Sequence, residues 1–277
     1  MKGNTMKIYL LALIICFSTS AYTKDIVVLV PGFFNTFTPE YFSKYIVRAF
    51  ANKGLKVYIA GDLNPVGTIA ENGARLEKIL EKIQIAEGHS VDFNIVAHSA
   101  GGLYSLWVSE QRKIQIKKLL TISTPFKGID FIETWIEKSF LFSNLSELAY
   151  LQGLKELTPE GVQQFLKTVK VNPDMQFMSF GGHQSENLDI TDARYLSAPL
   201  LVTSHFINGK SDGIVALNSA LGLSESARTD LTINLEHWEQ VLEPSAFAFL
   251  GIRNTDFIQQ EQIRFYTKLA DLIRTTQ

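Results

Sequence analysis

The segment Val91–Gly102, VDFNIVAHSAGG, decides how the rest of the chain is interpreted. It begins as a run typical of a buried β-strand and ends in residues that begin a helix. The serine between them, Ser99, has small residues two positions before it and two positions after it, Ala97 and Gly101. This spacing is typical of a strained strand-to-helix turn, where larger side chains would clash with neighbouring elements.

Ser99 is therefore the predicted nucleophile. The turn lifts its hydroxyl above the sheet and places the next backbone N–H, that of Ala100, at a helix N-terminus. There the N–H can stabilise the oxyanion that forms when a nucleophile attacks a carbonyl group. The alternative is that Ser99 only caps the helix, with small residues around it for close packing.

A second oxyanion donor is expected from the loop that follows the first predicted strand, Asp25–Val30. This loop is Pro31–Asn35, PGFFN, and its Gly32 can adopt backbone conformations that are closed to other residues. The donor is the N–H of Phe33 or Phe34, and we favour Phe33. The alternative is an ordinary Pro-Gly strand end.

A serine nucleophile needs a histidine base and a carboxylate that orients the histidine. For this type of turn the chain order is serine, acid, histidine. His237 follows the predicted strand Leu231–Leu235 by two residues, which places it at the sheet edge that also carries Ser99. We therefore predict His237 as the base, and the alternative is a histidine in a surface loop.

The four other histidines are less suitable as the base. His89 precedes Ser99, and His205 lies inside a predicted apolar strand, where a buried structural role is expected. His98 adjoins the serine, so its side chain is expected to point elsewhere, into packing. His183 follows two glycines in a loop and is the second candidate.

Asp212 is the predicted acid. It lies in a turn (GKSDG) after the predicted strand Leu200–Ile207, so the end of that strand places it on the same edge. Asp189 and Asp192 are rivals in a longer polar loop, whereas Asp230 precedes its strand and is expected at the opposite edge. The alternative for Asp212 is ordinary Asp-Gly turn chemistry.

Apolar runs alternate with helical patterns, which predicts an α/β fold with a mostly parallel sheet and helices on both faces. The predicted strands are Asp25–Val30, Leu55–Ala60, Val91–Ala97, Lys118–Ser123, Met175–Phe180, Leu200–Ile207 and Leu231–Leu235. The predicted helices are Pro39–Lys53 with Thr38 as N-cap, Thr68–Glu87, Ala100–Gln111 and Ile258–Arg274. The alternation breaks from 128 to about 170, and we interpret that helical, aromatic stretch as a cap inserted into one domain.

The N-terminus has the composition of a signal peptide. Lysines precede the apolar run Ile8–Phe17, and small residues up to Ala21 offer a cleavage site. The run is shorter than the roughly 20 residues that span a bilayer, although a membrane anchor or a buried first helix is the alternative. We predict a signal peptide at 1–21, a single domain at 22–277 and export, either to the periplasm or out of the cell.

Composition excludes several classes of function. The formal net charge is −2 and no basic run exists, so no nucleic-acid partner is expected. Cys16 is the only cysteine and lies in the predicted signal peptide. The mature chain would therefore have no disulfide, no thiolate metal site and no cysteine nucleophile.

Together these residues resemble the bacterial secreted lipases of the α/β-hydrolase fold. The resemblance lies in four patches spread over nearly the whole mature chain: Val30–Phe33, Ala97–Gly102, Ser123–Gly128 and Ser211–Val215. The segment Leu157–Gly161 with Phe165 is also similar to the part that closes the lid in that family. The resemblance implies hydrolysis of acylglycerols or other carboxylic esters, with no organic cofactor.

Two positions depart from the family pattern. Pro31 stands where many relatives carry a histidine. Some relatives bind calcium beside the histidine loop through an aspartate two positions after the histidine, where this chain has Glu239 and no evident second ligand. Calcium is therefore an alternative, and no metal ligand is predicted.

The cap contains an apolar helical segment with Phe131, Trp135 and Phe142. Such a segment either docks transiently on a lipid surface and covers an acyl pocket or packs on the body of the domain. We expect a lipase that acts on a lipid or ester substrate, as a monomer. The alternatives are a short-chain carboxylesterase, a phospholipase, an acyltransferase and a non-catalytic binding protein of the same fold.

Overall fold

A five-stranded parallel sheet forms the centre of the protein, in the strand order β2-β1-β3-β4-β5. The structure is a computed structural model, and it describes residues 24–35, 41–88, 91–140, 148–183, 207, 209–223, 227–248 and 255–275. The strands are β1 (Lys24–Val30), β2 (Lys56–Ile59), β3 (Val91–His98), β4 (Ile116–Ile122) and β5 (Gln176–Phe180). The parallel sheet and its helices confirm the predicted fold class.

The helices of the described residues alternate with these strands and then follow the last of them. They are α1 (Lys44–Ala51), α2 (Ile69–Glu87), α3 (Gly101–Gln111), α4 (Phe131–Phe140), α5 (Leu148–Lys155), α6 (Pro159–Thr168), α7 (Leu217–Ala220), α8 (Pro244–Ala248) and α9 (Thr255–Arg274). The three helices α4, α5 and α6 lie between β4 and β5, within the stretch predicted as a cap. None of the described helices has the length and apolar character needed to cross a bilayer.

Both faces of the sheet are buried. Ile26 and Val28 of β1 pack in one apolar core together with α2 and α3, whereas Val27 and Leu29 pack in a second core with α1 and α9. Because successive side chains of a strand point to opposite faces, a strand covered on both sides must be apolar at every position. This requirement explains the uninterrupted apolar sequence of β1 from Ile26 to Val30.

The first helix begins later than predicted. We expected it to begin at Pro39 with Thr38 as its N-cap, but α1 begins at Lys44 and Ser43 caps it, accepting the Ile46 N–H at 3.4 Å. The Ser43 hydroxyl also donates to Gln262 Oε1 of α9 at 2.6 Å, so a tertiary contact fixes the cap at this position. Thr38 itself lies outside the described residues.

The predicted last strand, Leu231–Leu235, is also wrong. This segment makes a single bridge to the sheet, between Ile233 and Gly182. The neighbouring backbone groups bond instead to side chains of α9, because Asn234 N–H donates to Glu261 at 2.8 Å and the Thr232 carbonyl accepts from Arg264. The predicted strand Leu200–Ile207 lies outside the described residues except for Ile207.

The strand order creates a crevice between β1 and β3. After β1 the chain moves outward to β2 and then crosses back to β3 on the other side of β1. At such a switch point the loops that follow the two strands separate at the carboxyl edge of the sheet, where open α/β sheets bind their ligands. The loop after β1 and the turn at Ser99 lie at this edge.

Burial of Lys118 gives a prediction about the stability of the fold. Lys118 is 4% exposed, and its ammonium donates to the carbonyls of Leu272, Ile273 and Thr275 at 2.7 to 3.0 Å, which closes the C-terminus of α9. Replacement Lys118→Met removes these charge-assisted bonds and should lower the free energy of unfolding by about 2 kcal/mol. Urea denaturation measures the change.

The neighbouring Lys117 supplies the control. Its ammonium is 3.4 Å from the Asp92 carboxylate and 3.6 Å from the Asp25 carboxylate, but its side chain is 37% exposed. Exposed ion pairs of this kind contribute less than about 1 kcal/mol. An equal loss of stability in Lys117→Met and Lys118→Met would contradict the structural role of Lys118.

Candidate active site

Ser99 sits on a strained turn between β3 and α3. Its φ angle is +55°, a left-handed conformation that side chains other than glycine rarely adopt. Three bonds hold it there: the Ser99 N–H donates to the Ile122 carbonyl at 2.9 Å, and the Ser99 carbonyl accepts from Thr124 Oγ1 at 2.8 Å and from the Gly102 N–H at 3.1 Å. Strain of this type persists only where the surrounding structure fixes it, and it clusters at functional sites.

The small residues near Ser99 are required by contacts that the sequence pattern alone did not identify. A Cβ on Gly101 would lie 2.6 Å from the Val30 carbonyl oxygen and 2.7 Å from that of Pro31. A Cβ on Gly102 would overlap the Thr124 side chain. The start of α3 therefore packs against the end of β1 on one side and the end of β4 on the other.

Gly32 brings the loop after β1 against the nucleophile. A Cβ on Gly32 would lie 2.7 Å from Ser99 Cβ and 3.1 Å from the backbone nitrogen of Ala100. The Gly32 carbonyl accepts from Asn35 Nδ2 at 3.2 Å. Because the C=O and N–H of one planar trans peptide point in opposite directions, this bond turns the Phe33 N–H away from Asn35.

The structure also distinguishes the two phenylalanines of this loop. Phe34 has a φ angle of +60°, and its N–H donates to the Pro65 carbonyl at 2.8 Å. That N–H is therefore committed to the neighbouring loop. The geometry favours Phe33 over Phe34 as the second oxyanion donor, beside Ala100 at the start of α3.

Asp212 and His237 are brought together in a buried pair. His237 Nδ1 lies 2.8 Å from Asp212 Oδ2, and the two side chains are 2% and 0% exposed. A second bond joins the same residues through the backbone, because the His237 N–H donates to the Asp212 carbonyl at 2.9 Å. An ionised carboxylate only accepts, so Nδ1 carries the histidine proton and Nε2 keeps its lone pair.

Further donors surround the Asp212 carboxylate. Oδ1 accepts from the N–H groups of Ile214 and Val215 at 3.0 and 2.8 Å, and Oδ2 accepts from Gln240 Nε2 at 2.9 Å. Burial by itself raises the pKa of Asp212, but the neighbouring His237 and bonds from His237, Val215 and Ser123 outweigh burial and hold this pKa below its usual value. Asp212 is therefore an anion at neutral pH.

Sequence analysis missed two of these partners. Ser123 is the last residue of the apolar run before Thr124-Pro125, and its position at a strand end was a signal that could have identified it. Its hydroxyl also accepts from the Gly182 N–H at 3.2 Å. Gln240 carries no such signal, because its role depends on a turn that brings it back to Asp212.

His98 is where the sequence interpretation failed. We expected its side chain to point away from the site, but its ring centroid lies 4.5 Å from that of His237. This contact places the predicted base beside the residue that precedes Ser99. The ring is fully buried, as expected for a side chain that packs in the interior. The direction in which we expected this side chain to point is wrong.

The rival acids and bases are placed as follows. Asp230 forms an exposed ion pair with Arg228 at 2.7 Å, which leaves it outside the site. His89, Asp189, Asp192 and His205 lie outside the described residues. His183 donates its backbone N–H to the Ile233 carbonyl at 3.1 Å.

The residue considered for calcium is buried in the turn that carries His237. Glu239 is 1% exposed, and its Oε2 accepts from the Glu236 N–H at 3.3 Å. Within the described ranges no three residues of the types His, Cys, Asp and Glu are grouped so that they could hold a metal ion.

Helix α5 covers the loop after β1. Gly153 of α5 lies so close that a Cβ would be 2.9 Å from the Phe33 ring and would overlap the Val66 carbonyl. At the end of α5, Glu156 Oε2 accepts from the N–H of Ile69, the first residue of α2, at 2.5 Å. Of the three aromatic residues in the apolar segment of the cap, Phe131 packs partly against the core, whereas Phe142 and the Trp135 side chain lie outside the description.

The contact between Gly32 and Ser99 predicts the effect of one added methyl group. Gly32→Ala should lower kcat/KM for an ester at least about a hundredfold, because the new Cβ must displace either the serine or the loop that carries Phe33. Gly61→Ala is the matched control, since a Cβ at Gly61 meets nothing within 4 Å. Full activity in a folded Gly32→Ala variant would contradict this geometry.

Comparison with known proteins finds similarity in structure only. No protein-family model matches the chain, and no curated protein matches its sequence. Among solved structures, the mature form of lipase BlEst2 from Bacillus licheniformis is 18% identical with a TM-score of 0.60, over 83% of this chain and 92% of that one.

Two further structures agree with this result. The metagenomic carboxyl esterase MGS0156 is 15% identical with a TM-score of 0.61, over 91% of this chain and 76% of that one. EstA from Clostridium botulinum is 13% identical with a TM-score of 0.55, over 88% of each chain. With the parallel sheet and the strained turn after β3, these likenesses show that the chain has the α/β-hydrolase fold.

Proposed function

We propose that the protein is a serine carboxylic ester hydrolase. The observation that carries the proposal is the buried Asp212–His237 pair. Its histidine ring lies 4.5 Å from that of His98, the residue before a serine held in a strained left-handed turn. Burial of two polar side chains and strain at a third residue are costs that a purely structural role does not explain. The solved structures of similar fold are described as a lipase and esterases, which supports the proposal.

The residues act in two half-reactions. His237 Nε2 removes the proton from the Ser99 hydroxyl as the oxygen attacks the ester carbonyl, and the N–H groups of Phe33 and Ala100 stabilise the resulting oxyanion. The intermediate then collapses, His237 returns the proton to the leaving alcohol, and the acyl group stays on Ser99.

Water completes the cycle. His237 takes a proton from a water molecule that attacks the acyl-enzyme, a second oxyanion forms at the same two donors, and the acid leaves as Ser99 recovers its proton. The Asp212 anion orients the His237 ring and stabilises the imidazolium that forms in each half-reaction. No step requires a metal ion or an organic cofactor.

We propose acylglycerols as the substrate class and an exported enzyme. The packing of α5 over Phe33 supports a covered acyl site, and the apolar sequence around Phe131 supports contact with lipid. The neighbour from Bacillus licheniformis is described as a lipase, and a more distant neighbour, PlaB from Legionella pneumophila, is described as a phospholipase.

Loss of the serine tests the reaction class. Ser99→Ala should lower kcat/KM for p-nitrophenyl butyrate at least about a thousandfold and abolish labelling by a fluorophosphonate, because both reactions need the serine oxygen. Ser109→Ala is the control, since the hydroxyl of this buried serine donates to the Leu106 carbonyl within its own helix, α3. Retained hydrolysis in Ser99→Ala would contradict the proposal.

Chain length tests the substrate class separately. A lipase should hydrolyse emulsified long-chain acylglycerols and p-nitrophenyl palmitate at rates comparable with the butyrate or higher, because long acyl chains bury more apolar surface. Hydrolysis of butyrate with no turnover of palmitate would indicate a short-chain esterase. That result would overturn the acylglycerol proposal while the serine mechanism remained.

A further inference from the structure

His98 is a buried titratable residue that the reaction above does not use. Its side chain has no exposed surface, and its ring is tilted 45° to the His237 ring at a centroid distance of 4.5 Å. A histidine in contact with a catalytic base must keep a defined protonation state, because a proton gained there would compete with the base.

Tyr41 fixes the protonation pattern of His98. The Tyr41 oxygen accepts the Gly32 N–H at 3.1 Å and lies 2.9 Å from His98 Nδ1. Tyr41 is buried, and its own O–H proton needs an acceptor; Gly32 offers only a donor. The hydroxyl therefore donates to His98 Nδ1, which places the histidine proton on Nε2.

Gln240 lies on the other side of His98. Its amide nitrogen donates to Asp212 Oδ2 at 2.9 Å and to the Leu235 carbonyl at 3.3 Å, so its oxygen points away from both groups. Gln240 Oε1 and His98 Nε2 are buried atoms for which the described residues provide no hydrogen bond within normal limits, but the Gln240 side chain is near enough to raise the pKa of His98. One is an acceptor and the other a donor, which makes the two atoms complementary.

The electrostatic surroundings keep His98 neutral. Burial and then the adjacent His237 lower the pKa of His98 well below its usual value. Asp212, the Gln240 side chain and the His237 carbonyl act in the opposite direction, but burial outweighs them. The proton that the base gains during the reaction therefore stays on His237.

We propose that Tyr41 and His98 are positioning residues that connect the oxyanion loop to the acid of the triad. Tyr41 holds the Gly32 N–H and so places the following peptide, whose N–H belongs to Phe33. His98 accepts from Tyr41 and presents its Nε2–H to Gln240, which fixes the amide end that bonds Asp212. This inference rests on the proposed ester hydrolysis and names two residues that serve it.

Removal of the Tyr41 hydroxyl oxygen tests the proposed positioning role of this residue. Tyr41→Phe keeps the ring but releases Gly32, so kcat for p-nitrophenyl butyrate should fall between about tenfold and a hundredfold while KM changes less than about twofold. Tyr104→Phe is the matched control, because Tyr104 is equally buried and its hydroxyl has no bond to the site. Tyr104→Phe should keep kcat within about twofold.

Substitutions of His98 test its bond to Tyr41 separately from its contact with Gln240. His98→Asn keeps an acceptor oxygen near the position of Nδ1 and should retain more activity than His98→Leu, which offers Tyr41 no acceptor. Residues that act as a unit are non-additive, so Tyr41→Phe should cause little further loss in the His98→Leu protein. Equal kcat in the Asn and Leu variants, or additive losses, would overturn the proposal.

A measurement independent of activity guards against variants that fail to fold. Nitrogen-15 NMR of labelled wild-type protein should show His98 as a neutral ring with its proton on Nε2, unchanged between about pH 5 and pH 8. The His98 signals are assigned from their loss in His98→Asn. A proton on Nδ1, or titration of His98 in this range, would overturn the proposal.

The two proposals fail in different ways. Absence of hydrolysis by folded wild-type protein would contradict the proposed ester hydrolysis. NMR would still determine the tautomer of His98 in that case. Hydrolysis that depends on Ser99 but is unchanged by Tyr41→Phe would contradict only the positioning role.

Discussion

The contact between Gly32 and Ser99 is the constraint on which the rest of the site depends. A parallel sheet whose strand order switches between β1 and β3 separates the chain segments after those strands, and here a glycine without a side chain closes the gap again. The approach is so close that the loop with Phe33 and the turn with Ala100 become one surface. The two proposed oxyanion donors, from distant parts of the chain, can then face the same substrate atom.

The contact is held from both sides. On the serine side, Ile122 and Thr124 at the end of β4 hold the left-handed turn through its backbone. On the loop side, Tyr41 and Asn35 hold the N–H and the carbonyl of Gly32. Each of these bonds pairs a backbone group of the serine turn or of the loop after β1, so the same bonds that stabilise the fold also hold the proposed catalytic groups in place.

The site also contains a buried anion. Asp212 has no exposed surface, and a carboxylate there persists because His237, Gln240 and backbone N–H groups surround it. The donors come from the turn after Asp212 and from the turn that carries the base. Burial of the charge therefore depends on the same two turns that place His237 against Asp212.

Local sequence predicted the parts of this site that depend on neighbouring residues. The strand, the small residues and the helix around Ser99 follow one another in the chain. Gly88, directly after the predicted helix Thr68–Glu87, ends α2 with a φ of +94°. The start of α1 was predicted wrongly because a contact between Ser43 and Gln262 overrides the local capping signal. The predicted strand at Leu231–Leu235 failed for the same kind of reason, since side chains of α9 bond its backbone.

The direction of the His98 side chain could not be predicted from position alone. A residue that adjoins the nucleophile was expected to turn away, yet the ring lies against His237 because Tyr41, 57 residues earlier, provides its partner. Gln240 could not be predicted for the same reason, because it bonds Asp212 only after folding has brought the two residues together. Local pattern was thus enough to predict Ser99, Asp212 and His237 as the reacting groups, whereas the residues that surround them required the three-dimensional structure.

The most direct test of the central claim is a crystal structure of the protein after reaction with a phosphonate ester, whose tetrahedral phosphorus mimics the reaction intermediate. The account predicts phosphorus bonded to Ser99 Oγ, with one phosphoryl oxygen at about 2.7 to 3.1 Å from the backbone nitrogens of both Phe33 and Ala100. A phosphoryl oxygen bonded to other donors, or phosphorus attached to a residue other than Ser99, would contradict it.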